Sequence, residues 1–189
     1  MQGVAQTVVS EDEYLALERK SETKHELING VIVAMAGASY EHNTTAANLL
    51  VALGMRLRGR PCRPLGSDQR IHIPATGLYT YPDVSVVCGK PEFHSKDRDT
   101  LLNPRVIIEV LSDSTEAYDR GAKFAHYRGI PSLAEYALAA QDEPMIEFFK
   151  NWGFTPIPCN FRNFNSFGGS FHCATLDVRR TGSLETYVD

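Results

Sequence analysis

Apolar residues recur along this chain with the two periods that distinguish helices from strands. A short helix is predicted over residues 11–19, because Ser10 and Glu13 have capping-box spacing. A longer one is predicted over residues 44–58, opening at Asn43 or Thr44. Its apolar stripe repeats at three- and four-residue steps, at Ala46, Leu49, Leu50, Leu53 and Leu57.

Between and after these helices the pattern favours strands. Asn29 and Gly30 separate two β-prone runs and predict a hairpin with a type I′ turn. Three extended segments follow, ending in residues 70–73, 83–88 and 105–111. The third is almost continuously apolar and therefore predicts a strand buried on both faces.

A second major helix is predicted after residues 112–115. Tyr118, Ala122 and Ala125 mark its expected core side, and Gly129 ends it near Arg128. Residues 133–139 predict a further strand, which needs a right-handed crossover if it lies parallel to the third. Residues 145–149 begin a polar, aromatic β region with a turn at residues 151–153. Earlier in the chain, residues 89–103 form the longest candidate loop, which we expect to be mobile.

This order of helix, strand, strand, strand, helix, strand predicts an α/β (α+β) fold with a central mixed sheet. With 189 residues and 43% hydrophobic composition, the chain is long enough for one core, so we expect one domain over residues 1–189. Within it, residues 10–40 supply a helix and hairpin, residues 43–140 the core and residues 141–189 a C-terminal β extension.

Composition favours a cytoplasmic protein that does not enter a membrane. The first ten residues lack the pattern of a secretory signal, and no apolar run reaches the roughly 18 residues that a membrane span needs. The four cysteines form no C-x-x-C pair, and we expect them to be buried free thiols.

Charge gives two conflicting indications about nucleic acid. The net charge of −4 argues mildly against a partner as negative as DNA. A local basic strip nevertheless contains one acid, Asp68, and is either a solvated helix end and loop or a surface for phosphate contacts. Its arginines are Arg56, Arg58, Arg60, Arg63 and Arg70.

Three charged residues suggest a catalytic site. Glu109 interrupts the most apolar strand, where an isolated carboxylate must be compensated or protonated. Compensation comes either from a hydrogen-bond or arginine partner or from a metal ion, for which Asp83 is the natural second ligand. Lys123 lies on the following helix, four residues after Asp119; it either forms an ordinary ion pair there or points to the metal.

The phrases around these residues resemble the PD-(D/E)XK nuclease superfamily. They are YPD at residues 81–83 and IIEVLS at residues 107–112, with Lys123 in the following helix. The longer phrases ELINGVI, YPDVSVV and NPRVIIEVLSDSTEAYDRGAKFAHYRGIPSLAEYAL resemble a bacterial restriction-endonuclease-like branch of unknown function. The resemblance covers about residues 13–145 and implies a restriction-endonuclease-like core.

The resemblance also implies a metal-dependent endonuclease that hydrolyses DNA phosphodiester bonds, working as a homodimer by analogy. Asp83, Glu109 and the carbonyl of Val110 would hold Mg²⁺ or Mn²⁺, and Glu26 and His42 are accessory candidates. Alternatively, Glu26 pairs with Lys24 at the edge of the hairpin, and His42 is a structural residue at the entry to its helix. The superfamily lysine normally stands two residues after the glutamate, where this chain has Leu111. Lys123 is then the migrated lysine, or else the protein is a degenerate nucleic-acid-binding or assembly module. A serine or cysteine hydrolase is disfavoured, because no G-x-S-x-G motif occurs.

Overall fold

The computed structural model describes residues 8–141, together with the backbone of two later strands. Its helices are α1 (Glu11–Glu18), α2 (Tyr40–Arg56), α3 (Glu116–Tyr118) and α4 (Phe124–Tyr127), with a π-helical turn, Asp119–Lys123, joining the last two. Its strands are β1 (His25–Ile28), β2 (Val31–Ala34), β3 (Cys62–Gly66), β4 (Arg70–Ile73), β5 (Leu78–Thr80), β6 (Val84–Cys88), β7 (Phe93–His94), β8 (Asp97–Leu101), β9 (Val106–Val110), β10 (Glu135–Ala139), β11 (Met145–Lys150) and β12 (Ile157–Asn160).

The strands form two mixed six-stranded sheets, in keeping with the predicted α+β class. Sheet A has the order β2-β1-β5-β4-β8-β7, and sheet B has the order β12-β11-β10-β9-β6-β3. In sheet B, β9 is central and pairs parallel with β10 and antiparallel with β6. The strand predicted after the second major helix is thus a parallel neighbour of the apolar strand, and the helical segment between them makes the crossover connection.

The capping and turn motifs in the sequence correctly predicted the first helix and the first hairpin. Ser10 and Glu13 form the predicted capping box, and Asn29 and Gly30 turn the β1–β2 hairpin with φ of 50° and 78°. The start of α2 was predicted four residues late. It begins at Tyr40, because Ser39 caps it by accepting a hydrogen bond from the backbone N–H of His42.

Two expectations about less regular segments were wrong. Residues 89–103 are not a plain loop: they contain β7 and β8, which form an antiparallel hairpin. Cys62 and Cys88 are not free thiols, because they lie opposite each other on β3 and β6 and form a disulfide with an S–S distance of 2.02 Å. The predicted turn at residues 151–153 lies outside the described residues.

Side-chain alternation on β9 divides the core into two parts. Ile107 and Leu111 face sheet A and pack with Phe124 and Tyr127 of the helical segment. Ile108 and Val110 face the other way and pack against Leu49 of α2. On the outer face of sheet A, α1 covers a third cluster that contains Tyr14, Leu15, Leu27 and Tyr79.

The core side predicted for the second major helix was wrong. Ala122 and Ala125 are exposed, whereas Asp119, Lys123, Phe124 and Tyr127 are buried. A π-helical turn accommodates an extra residue and rotates the side chains that follow it. The buried face of this helix thus carries the charged residues Asp119 and Lys123, which an argument from apolar periodicity would place in solvent.

Within the described part of the chain, no helix has the length and apolar character that crossing a membrane requires.

Candidate active site

Asp83 and Glu109 meet where β6 and β9 pair. The antiparallel register places Val84 opposite Ile108, so Asp83, the next residue outward, lies beside Glu109. Each carboxylate accepts a hydrogen bond from the other strand's backbone. Glu109 Oε2 lies 3.2 Å from the N–H of Asp83, and Asp83 Oδ2 lies 2.8 Å from the N–H of Val110. The two acids predicted for the site are therefore brought to one end of one strand pair.

Lys123 reaches this strand pair from the π-helical turn. Its Nζ lies 2.8 Å from Glu109 Oε1 and 3.5 Å from Asp119 Oδ1. The two alternatives for Lys123 were an exposed ion pair with Asp119 and a position beside the sheet carboxylates. The structure combines their contacts: both Lys123 and Asp119 are buried, and the ammonium lies between the helix and β9.

A tyrosine that the sequence argument did not include completes the surroundings of Glu109. Tyr127, one turn after Lys123, donates a hydrogen bond of 2.6 Å from its hydroxyl to Glu109 Oε1. Glu109 is 2% exposed, so these donors replace water around its carboxylate. The four-residue spacing of Asp119, Lys123 and Tyr127 was the available signal, because it places all three on one helical face.

Both accessory candidates lie beside the predicted site. Glu26 is buried on β1, accepts a short hydrogen bond from Thr80 and has its Oε1 3.8 Å from Lys123 Nζ. The alternative pairing of Glu26 with Lys24 does not occur, since Lys24 contacts Asp68 instead. His42, in the first turn of α2, has its Nε2 3.2 Å from Asp83 Oδ2.

The titration properties of the site follow from burial and charge imbalance. Burial raises the pKa of Glu109 to about 8; Lys123 opposes this shift, and Asp83 and Asp119 add to it. Burial likewise raises the pKa of Asp119. Although burial opposes the charge of Lys123, the Glu109, Glu26 and Asp119 carboxylates raise the pKa of its ammonium. The lysine therefore stays charged at neutral pH.

His42 is a second basic group at the same place. Its hydrogen bond to the Asp83 carboxylate raises the pKa of the imidazole, against the effect of burial, and the Val110 backbone adds to the rise. His42 thus contacts the two groups, Asp83 and Val110, that the resemblance assigns to a metal ion. Its Nδ1 is buried and has no hydrogen-bond partner among the described residues.

The donor set fits a hard divalent cation. Asp83 and Glu109 offer carboxylate oxygens, although they belong to no group of three described His, Cys, Asp or Glu side chains whose ligand atoms all lie within 4.8 Å of one another. A cation here would take its remaining ligands from a backbone carbonyl, such as that of Val110, and from water. Mg²⁺ typically binds in this way, through one or two carboxylates with several retained waters.

The arginine strip is split by the fold. Arg56, Arg58, Arg60 and Arg63 are exposed at the end of α2 and on β3. Arg70 was wrongly included in the strip. It is 6% exposed and pairs with Asp97, and it also donates hydrogen bonds to Thr100 and Tyr81.

The chain matches the model of a protein family, and it is similar to individual relatives and to a solved structure. Residues 11–153 match the family described as "Uma2: Putative restriction endonuclease". A Synechocystis sp. protein, sll1609, is 37% identical over 146 residues, which are 77% of this chain and 82% of the relative. A crystal structure described as "a putative nuclease belonging to DUF820", from Anabaena variabilis, superposes with a TM-score of 0.65 at 18% identity and covers 79% of this chain and 83% of that one. This second likeness shows a shared fold.

A further similarity, over a shorter stretch of the chain, is to an enzyme that is described as an amidinotransferase. The L-arginine:L-lysine amidinotransferase of Pseudomonas savastanoi pv. phaseolicola is 71% identical to this chain over 48 residues. The match spans 25% of this chain and 13% of that enzyme. So small a share of the enzyme does not bring its activity to this chain.

Proposed function

The chain belongs to the Uma2 family of restriction-endonuclease-like proteins, and we propose that it is a metal-dependent endonuclease that hydrolyses DNA phosphodiester bonds. One observation carries the proposal. Asp83 and Glu109, from two paired strands, converge with Lys123, whose Nζ lies 2.8 Å from Glu109 Oε1. Two carboxylates and one lysine at the end of a strand pair are the groups that the resemblance requires for this reaction.

The charge balance of the site supports a cation. Glu26, Asp83, Glu109 and Asp119 surround one lysine and one histidine, and Glu26, Glu109 and Asp119 are buried. Joint ionisation of these acids is unfavourable without further positive charge. Mg²⁺ or Mn²⁺ held by Asp83, Glu109 and the Val110 carbonyl would supply that charge, lower the pKa of a bound water and neutralise the scissile phosphate.

Lys123 and the residues around it have separate roles in this proposal. Lys123 keeps its ammonium charged, orients the attacking water and stabilises negative charge on the phosphate. Tyr127 and the backbone N–H of Asp83 hold the Glu109 carboxylate in place. His42 orients the Asp83 carboxylate through its Nε2 contact. Glu26 shares the Lys123 ammonium and limits its freedom to move.

The exposed arginines are proposed to contact the DNA backbone away from the cut. His42 and Arg56 lie near opposite ends of α2, fourteen residues and therefore roughly 20 Å apart. A duplex that lies on both the site and the arginines would span about six base pairs between them. Cutting both strands needs two sites, so the proposal includes a homodimer.

The degenerate module is the second candidate, and Leu111 is the observation in its favour. Leu111 occupies the usual lysine position and is buried in the apolar core with Phe124 and Tyr127. A chain that had lost its lysine without replacement would keep the fold and bind nucleic acid without turnover. Lys123 argues against this, because a buried ammonium beside Glu109 restores the missing charge from another element.

Cleavage assays decide between the two candidates. Plasmid and single-stranded DNA are incubated with the protein and Mg²⁺ or Mn²⁺, with EDTA controls, alongside Asp83→Asn and Glu109→Gln. We expect metal-dependent nicking or cutting that each variant abolishes, while exposed Glu92→Gln cleaves normally. A shift in the gel mobility of the DNA, without cleavage under any metal condition, would instead show that the protein is the non-catalytic nucleic-acid-binding module.

A further inference from the structure

A second group of metal-binding side chains lies on the outer face of sheet A. Glu11 of α1, His72 of β4 and His94 of β7 each offer one ligand atom, and the three atoms lie within 4.8 Å of one another. Within the described part of the chain, no other group of three His, Cys, Asp or Glu residues meets this spacing. The side chains come from three separate elements, so the grouping is a product of the fold.

This group is separate from the candidate active site. On β4, Ile71 and Ile73 face the core between the sheets, so His72 points to the opposite face. There its ring stacks on Tyr79 at a centroid distance of 4.0 Å, and Tyr79 belongs to the cluster that α1 covers. Sheet A therefore lies between the two groups, since Ile71 and Ile73 pack toward β9 and the helix that carries Lys123.

His72 is prepared to act as a ligand. Its Nδ1 lies 3.2 Å from the carbonyl oxygen of Leu78, which accepts a hydrogen bond only if Nδ1 carries the proton. The lone pair is then on Nε2, which lies 3.8 Å from Glu11 Oε1. Metal-bound histidines typically donate their other N–H to a carbonyl in this way.

Tyr79 adds an independent indication. Its side chain is fully buried, and among the described residues its hydroxyl makes no hydrogen bond of normal length, although the Glu11 carboxylate lies near it. A buried hydroxyl without a close partner is costly as it stands. It is suitably placed to donate to a ligand carboxylate or to a metal-bound water.

α1 and the β7–β8 turn are clamped together around the group. Lys96 Nζ lies 2.7 Å and 2.9 Å from the two carboxylate oxygens of Asp12, and Arg19 donates a 2.6 Å hydrogen bond to the Lys96 carbonyl. Asp12 follows Glu11 directly, and Lys96 is two residues from His94. His94 Nδ1 accepts a long hydrogen bond of 3.3 Å from the Lys96 N–H. The His94 ring also meets the His72 ring edge-on, at a centroid distance of 5.4 Å.

We propose that Glu11, His72 and His94 form a second cation site, which takes Zn²⁺ in preference to Mg²⁺ or Ca²⁺ and fastens α1 to sheet A. Two imidazoles and one carboxylate are a ligand set for Zn²⁺, whereas Mg²⁺ and Ca²⁺ prefer oxygen ligands only. The Glu11 side chain is 49% exposed, which leaves a route for entry and room for water as the fourth ligand. The site is independent of the proposed nuclease activity.

Calorimetric titration with ZnCl₂ tests the site in tag-free protein. The background is the Asp83→Asn, Glu109→Gln double variant, which removes the carboxylates of the proposed active site. Glu11→Gln and His94→Ala are made in that background, with exposed Glu92→Gln as the matched control. Co²⁺ in place of Zn²⁺ reports coordination by its visible absorption.

We expect one Zn²⁺ per chain in the background protein and in Glu92→Gln. Affinity should fall by at least about tenfold in Glu11→Gln and His94→Ala, since even changes in the partners of metal ligands cost that much. Zn²⁺ should also raise the Tm of the background protein and not that of His94→Ala. Equal affinity in all four proteins, or no Zn²⁺ binding, would overturn the proposal. If His94→Ala does not fold, Glu11→Gln alone decides, because Glu11 lies at the surface.

Discussion

Two buried charged clusters in this protein are built on opposite principles. In the first, which we call the structural cluster, each carboxylate has its own basic partner: Asp97 pairs with Arg70, and Glu18 lies 3.0 Å from His25. Tyr81 links the two pairs by donating to Glu18 and accepting from Arg70. In the second, which we call the catalytic cluster after its proposed role, Glu26, Glu109 and Asp119 share the ammonium of Lys123.

The two clusters differ in the direction in which they shift the pKa of a buried acid, Asp97 in the first and Glu109 in the second. Burial opposes ionisation of Asp97, but hydrogen bonds from Thr100 and Arg70 lower its pKa below the ordinary value. Burial raises the pKa of Glu109 to about 8, and one lysine does not offset it. Strongly shifted pKa values concentrate at functional sites, and a cation would let the acids of the second cluster ionise together. The comparison supports a structural role for the first cluster and a metal-binding role for the second.

Breaking the structural cluster should have the largest effect on stability. Arg70→Ala leaves Asp97 buried without its cation, and we expect unfolding to become easier by about 3–5 kcal/mol. The exposed Arg58→Ala should change stability by less than about 0.5 kcal/mol. Urea unfolding followed by circular dichroism measures both. A loss below about 1 kcal/mol for Arg70→Ala would contradict a structural role for this pair.

Removing the lysine of the catalytic cluster should affect activity more than stability. Lys123→Ala is expected to reduce the cleavage rate by about 10²–10³-fold, the usual cost of removing a group that stabilises developing charge. Fold and Mn²⁺ affinity should be largely retained. Lys24→Ala, at an exposed ion pair with Asp68, is the matched control. Full activity in Lys123→Ala would exclude Lys123 as the migrated lysine.

Returning a lysine to the superfamily position sharpens the same test. Leu111 lies two residues after Glu109 and therefore on the same face of β9. Leu111→Lys in the Lys123→Ala background is expected to restore part of the lost cleavage. A variant that folds and binds Mn²⁺ but cleaves no faster than Lys123→Ala would show that the helical position matters as well as the charge.

A smaller effect is expected from the tyrosine that holds Glu109. Tyr127→Phe removes the 2.6 Å hydrogen bond to Glu109 Oε1 and should weaken Mn²⁺ binding by about 10–100-fold. Tyr136→Phe is a control from the same core, because the Tyr136 hydroxyl donates to the backbone carbonyl of Asp119 and not to a carboxylate. Calorimetry that finds equal losses in the two variants would argue against a specific role for Tyr127.

The two clusters should also give stability opposite dependences on pH. Glu109 has its pKa raised in the folded protein, so its contribution is present below about pH 4.5 and is lost as pH rises through about 8. Asp97 has a lowered pKa, so its contribution is present above about pH 4 and is lost as pH falls through its folded pKa. In EDTA, wild type should therefore lose stability between pH 5 and 8 relative to Glu109→Gln, by at most about 1.4 kcal/mol per pH unit.

Urea midpoints across this range measure the effect, and Mg²⁺ at pH 8 should reverse it in wild type alone. Below about pH 4 the dependence should instead be reduced by Asp97→Asn. Parallel curves for wild type and Glu109→Gln in EDTA would show that Glu109 is ionised in the metal-free protein, so that Lys123 alone compensates it.

The sequence by itself determined local elements of structure, and it singled out one charged residue, Glu109, in an otherwise apolar strand. The capping box at Ser10, the turn at Asn29 and Gly30, and the apolar run of β9 each depend on neighbours within a few positions. Glu109 stood out because a carboxylate in such a run requires compensation. The proximity of Asp83 and Lys123 to Glu109 was expected from the need for a second metal ligand and from the resemblance, and their roles stay predictions.

The tertiary structure decided everything that depends on residues far apart in the chain. Arg70 belongs to a surface strip by sequence, yet Asp97, twenty-seven residues later, makes its burial possible. Cys62 and Cys88 pair only because β3 and β6 do, and Glu11, His72 and His94 meet only when α1 covers sheet A. Ala122 and Ala125 suggested a core face that the π-helical turn gives to Asp119 and Lys123. Periodicity reports which residues share a face, but the charges that a face will meet come from other elements, and only folding brings them together.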